Sequence, residues 1–81
     1  MGQLRVTSFR GVVTYAWDHT QVATGDPEAL AAIREVERIF ADQISKGATA
    51  FRVEPGVAAT RVDRFDPKAE IIVTVPRVAG G

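Results

Sequence analysis

Apolar and polar positions alternate with the period of a strand at both ends of the chain and with the period of a helix in the middle. Strands are therefore expected to flank one amphipathic helix. Near the start, Leu4 and Val6 alternate with Arg5 and Thr7, and Val13, Tyr15 and Trp17 alternate with Thr14 and Ala16. The break near Arg10-Gly11 predicts a hairpin, with Gly11 free to take a positive φ, and Ser8 and Phe9 leave room for a bulge. One face of each strand is suited to a core.

From Asp18 to Gly25 the pattern is polar and without period, and a loop is expected. Asp26, Pro27 and Glu28 then read as a helix start: an oxygen to cap free N–H groups, a residue needing no donor, and an anion at the positive dipole end. At 100° per residue Ala29, Ile33, Val36, Phe40 and Ile44 form one stripe, flanked by Leu30 and Ile39. Arg34, Glu35, Arg38, Asp42 and Ser45 lie opposite. Lys46 falls in the last turn and Gly47 suits the left-handed cap, giving a helix about 30 Å long.

After the helix, TAFRVE places Thr49, Phe51 and Val53 on one face and Ala50, Arg52 and Glu54 on the other. Pro55-Gly56 fits a type II turn into VAATRVD, which predicts a second hairpin over residues 49–62 with Arg52 and Arg61 as candidate cross-strand neighbours. Asp66-Pro67 marks another turn. In AEIIVTV, Ala69, Ile71, Val73 and Val75 share one face, leaving Ile72 on the other as an expected exposed contact residue, and Pro76 ends the strand. The order is ββαβββ, an α+β class with a mixed sheet packed on one long helix. The first and last long strands are expected side by side in the centre; the helical crossover allows them to run parallel.

A chain of 81 residues supports one core. Ten basic residues balance ten acidic ones, which argues against a nucleic-acid or anionic-membrane partner. Cysteine is absent and no long apolar run occurs, so neither disulfides nor a spanning helix is expected, and the chain reads as soluble and cytoplasmic.

Enzyme signatures are scarce, and no catalytic residue or metal ligand is assigned. Asp18 and His19 could move a proton, but a lone histidine beside a strand end is more often an ordinary loop residue. Asp63 and Asp66 make a weak cation site and a better pair of turn residues. The arginines are spread among acidic neighbours, as on a solvated surface. Trp17 reads as core or core edge, and Phe65 as a cover for one end of the core.

Chemistry enters at the tail. After Pro76 the sequence reads Arg77-Val78-Ala79-Gly80-Gly81. Glycines without a Cβ make a narrow segment that can enter a confined active site and present a carboxylate to ATP. The segment EIIVTVPRVAGG resembles the terminal strand, proline and Gly-Gly of the molybdopterin-synthase small subunit, and the element order resembles the β-grasp, ubiquitin-like proteins. The resemblance implies a β-grasp domain over residues 1–76 and a flexible tail over 77–81, serving as a sulfur carrier or protein modifier and not as an enzyme. Gly81 would be adenylated by an E1-like enzyme, which uses the ATP, and then converted to a thiocarboxylate, thioester or isopeptide. Gly80 would let the tail thread that enzyme. Arg77 stands where the molybdopterin carriers tend to have a second proline, and its spacing from the last glycine is similar to that of an arginine in ubiquitin read by the activating enzyme. Ile72, Pro76 and Val78 would be partner contacts; the acceptor would be a sulfur-accepting enzyme or a lysine of a target protein. A non-catalytic β-grasp interaction module, or a small subunit of a larger enzyme complex, is the alternative.

Overall fold

In a computed structural model, which describes residues 1–77, strands β1 (Gly2–Ser8) and β2 (Gly11–Trp17) form the first hairpin. They are followed by helices α1 (His19–Ala23) and α2 (Pro27–Ser45), and then by strands β3 (Thr49–Glu54), β4 (Val57–Val62) and β5 (Ile71–Val75). The sheet order is β2-β1-β5-β3-β4. β1 and β5 run parallel at its centre and every other neighbouring pair is antiparallel, as the crossover argument requires.

Local chemistry accounts for most boundaries. Gly56 takes φ +73°, the value a type II turn needs at its third residue, and closes the β3–β4 hairpin between Glu54 and Val57. Gly47 takes φ +91°, so its N–H reaches the Ile44 carbonyl at 2.9 Å and that of Ala48 reaches Gln43 at 3.0 Å, the paired bonds of a Schellman cap. Two expectations are corrected at the other end. The Asp26 side chain makes no cap bond; its backbone N–H instead donates to the Gln21 carbonyl at 3.0 Å, tying the start of α2 to the turns before it. That preceding segment is not all loop: Asp18 Oδ1 accepts from Thr20 and Gln21 N–H at 2.9 and 3.2 Å and starts the five-residue α1.

The helix-facing side of the sheet follows from the strand register. Leu4 pairs with Tyr15 on one side and Ile72 on the other, and Ile72 pairs with Arg52, so these four side chains share one face. The next row on that face is Val13, Val6, Thr74, Ala50 and Val62. Against it α2 buries Ala29, Ile33, Val36 and Phe40, four members of the expected stripe. Ile72 is 0% exposed, which overturns its reading as an outward contact residue: β5 turns Ile72 and Thr74 to the helix and Ile71, Val73 and Val75 away from it. Likewise Ala50, not Phe51, is the core residue of β3. Val13 shares the parity of Trp17 yet is 55% exposed. Arg52 and Arg61 are not directly opposed, since Arg61 pairs with Phe51 and Arg52 with Thr60.

One end of the core is aromatic. Phe65 packs on Trp17 and Phe40 at centroid separations of 5.2 and 5.8 Å, covering the core end as expected. Trp17 Nε1 donates to the Pro67 carbonyl at 2.9 Å, and the Arg52 guanidinium reaches Asp66 at 3.0 Å and Glu54 at 3.3 Å. The segment 63–70 is thereby pinned to Trp17 of β2, Arg52 of β3 and Phe40 of α2.

Thr74 is 0% exposed and its hydroxyl has no hydrogen-bond partner among the described residues. A buried hydroxyl without a partner loses its hydration for nothing, whereas a methyl in its place does not. Thr74→Val is therefore expected to stabilise the domain by about 1 kcal/mol and to raise Tm by a few degrees in thermal denaturation. A fall in Tm would mean that the hydroxyl is satisfied.

Candidate functional site

The strand that leads to the tail lies in the middle of the sheet. β5 is held by β1 on one side and β3 on the other, and its last residue, Val75, pairs with Thr49. A central strand is fixed by two ladders, so the point from which the chain leaves the sheet is fixed too. Pro76 follows and has no N–H to continue the ladder. Arg77 is exposed, and its stem passes Gly47: a Cβ built there would stand 3.4 Å from Arg77 Cδ. The arginine thus rides over the carbonyl end of α2, where a cation is favoured by the helix dipole. Val78, Gly80 and Gly81 lie outside the described residues.

Beside this exit is a surface the sequence reading missed. On the face away from α2, Val73 pairs with Phe51 and Ile71 with Val53, and Val75 completes the patch. Val75 is 39% exposed and the other four are half-buried, with no helix over them. Arg5 and Arg61 flank the central row, which runs Thr14, Arg5, Val73, Phe51, Arg61. The available signal was IIVTV itself: apolar residues on both parities mark a strand with an apolar neighbour on each face.

The other candidate residues have structural duties. Asp18 caps α1 and His19 Nε2 stands 3.1 Å from the Ala69 carbonyl, so the two side chains are used apart. Asp66 accepts from Lys68 N–H at 2.9 Å and from Arg52, the turn role expected of it. Among the described residues no three acidic or histidine side chains gather as a metal site, and no helix is long and apolar enough to cross a membrane. A cleft of about 500 Å³ runs between α2 and the segment 63–65, floored by Phe40, Ile44 and Phe65 and edged by Glu37, Asp63 and Arg64. Away from these features, a hydrogen bond from Arg38 holds the Glu35 carboxyl below the usual carboxylate range on the solvated face of α2.

Strand order, the parallel central pair and the single long helix crossing one face define a β-grasp, ubiquitin-like fold. No family model, curated protein or solved structure matches the chain.

Proposed function

We propose that this β-grasp domain is a carrier or modifier whose Gly81 carboxylate is activated by an E1-like adenylating enzyme. The observation that carries the reading is the position of β5. A rigid central strand delivers Pro76 and Arg77 to one fixed point at the margin of the apolar patch of Phe51, Val73 and Val75, and the narrow Val78-Ala79-Gly80-Gly81 segment follows. An activating enzyme can hold the patch and Arg77 while the tail reaches its ATP.

The chemistry requires a free Gly81 carboxylate, native or released by cleavage. One carboxylate oxygen attacks the α-phosphorus of ATP, forming the acyl-adenylate and expelling pyrophosphate. A sulfur or amine nucleophile then attacks the carbonyl and AMP leaves, giving a thiocarboxylate, a thioester or an amide. Everything specific to this chain lies in presentation, because the patch, Arg77 and tail supply binding and reach while the partner supplies catalysis. Tandem mass spectrometry of the protein recovered from its own cells tests this reading. It is expected to find Gly81 as a thiocarboxylate or joined to a lysine amine; finding Gly81 only as an unmodified end, or always followed by further residues, contradicts it.

The patch by itself also favours a second reading, a β-grasp interaction module or small subunit in which the tail has no chemistry. In that case deleting Gly80 and Gly81 leaves partner binding unchanged.

A further inference from the structure

Among the described residues six large apolar side chains are exposed, and three of them, Phe9, Val12 and Val13, sit on the β1–β2 hairpin. β2 is an edge strand, so one row of its backbone N–H and C=O groups faces outward. Natural edges are usually guarded by charge, proline, shortness or a bulge. The opposite edge, β4, carries Arg61 and pairs with β3 through a register shift between Arg52 and Glu54. β2 has none of these guards: Gly11–Trp17, GVVTYAW, is seven residues without a charge, a proline or a break in register.

From this edge we infer that two copies of the chain associate by antiparallel pairing of β2 with β2, about a two-fold axis at Thr14, to make one continuous sheet. The sequence of the edge is self-complementary in that register. Thr14 meets Thr14, Val13 meets Tyr15 of the second copy on the helix-facing side, and Val12 meets Ala16 on the open side. Just beyond the strand, Arg10 in the hairpin turn falls opposite Asp18 of the second copy, and the symmetry repeats that pair at the other end. Arg10 is exposed, and the described bonds to the Asp18 side chain use only Oδ1. A shift of the partner by two residues in either direction would lose both charge pairs and leave the edge unevenly covered. An isologous contact of this kind closes at two copies, so it terminates the edge and does not propagate a fibre. The association is independent of the tail.

Sedimentation of the full chain over micromolar to millimolar concentrations tests it, alongside Val13→Lys, Arg10→Asp, and two single-cysteine variants of a chain that has no cysteine of its own. The wild-type chain is expected to pass from 8.7 kDa to twice that mass. Both charge variants should keep the wild-type circular dichroism, because both positions are exposed, and should raise the dimer Kd about tenfold or more. Thr14→Cys is expected to be joined to its copy by a short thiol-specific bifunctional cross-linker, since Thr14 turns its N–H and C=O to the open edge and meets its copy as a hydrogen-bonded pair with Cβ atoms about 5.5 Å apart, while Ala58→Cys on the β4 edge stays single. A wild-type chain that remains monomeric at millimolar concentration overturns the inference. So does a dimer unaffected by Val13→Lys, or cross-linking through Ala58→Cys as fast as through Thr14→Cys.

Discussion

Gly2→Ala is expected to lower the unfolding free energy by about 3 kcal/mol, a large effect for the smallest possible side-chain addition near the start of a chain. Gly2 pairs with Trp17 across the β1–β2 ladder, and the indole fills the space where a Gly2 side chain would stand. A Cβ there would stand 2.1 Å from Trp17 Cε2 and 2.5 Å from Nε1, so the ring has to leave. Its displacement would break the Nε1 bond to the Pro67 carbonyl and separate Trp17 from Phe65. Phe65 in turn packs on Phe40 of α2, which spreads the damage from β1 to the long helix. Small domains are stable by roughly 0.05–0.15 kcal/mol per residue, so a loss of this size removes a substantial part of the total. Urea unfolding followed by the fluorescence of Trp17, the single tryptophan, measures it directly. A loss below about 0.5 kcal/mol, the range of an ordinary surface substitution, would show that the indole has another place to sit.

Much of the fold was legible because period and punctuation agree. The stripe from Ala29 to Phe40, Pro27 at the helix start and Gly47 at its end all point to the same helix, and the structure places it at Pro27–Ser45. Pro55-Gly56 fixes a hairpin by backbone chemistry alone, and Phe65 covers the core end as its position after β4 implied. What alternation cannot say is which face of a two-sided strand meets the helix. In β1 the polar residues Gln3, Arg5 and Thr7 decide it. In β5 both parities are apolar, and the decision comes from register: Ile72 is buried because it lies beside Leu4. Register is a property of pairs of strands and is not written in either one. The same ambiguity hid the patch of Phe51, Val73 and Val75, which Ile72 had wrongly stood for. Asp18 was legible as a cap only in hindsight, since a five-residue helix such as α1 is too short to display a period.

The tail makes the second large prediction, an all-or-none one. Under the proposed function activation would join Gly81 to AMP, so removing the last two glycines moves the terminal carboxylate back to Ala79 and shortens the reach by about 7 Å at 3.3–3.6 Å per extended residue. On that proposal glycine would serve the route and the carboxylate the chemistry, because a Cβ widens the segment that would enter the adenylation site. The domain should be untouched, because Gly80 and Gly81 lie beyond β5, whose two ladders end by Val75. Matching circular dichroism and urea midpoints for the two forms would establish that the comparison concerns the tail alone.

ATP–pyrophosphate exchange with the E1-like enzymes of the source cell is the most direct measurement of the central claim, run on the 81-residue chain and on the form lacking Gly80 and Gly81. The account predicts exchange that depends on the full chain and falls to background with the shortened one. Exchange with neither form, across every such enzyme in that cell, would contradict activation at Gly81 and leave the patch on the open face of the sheet as the functional surface.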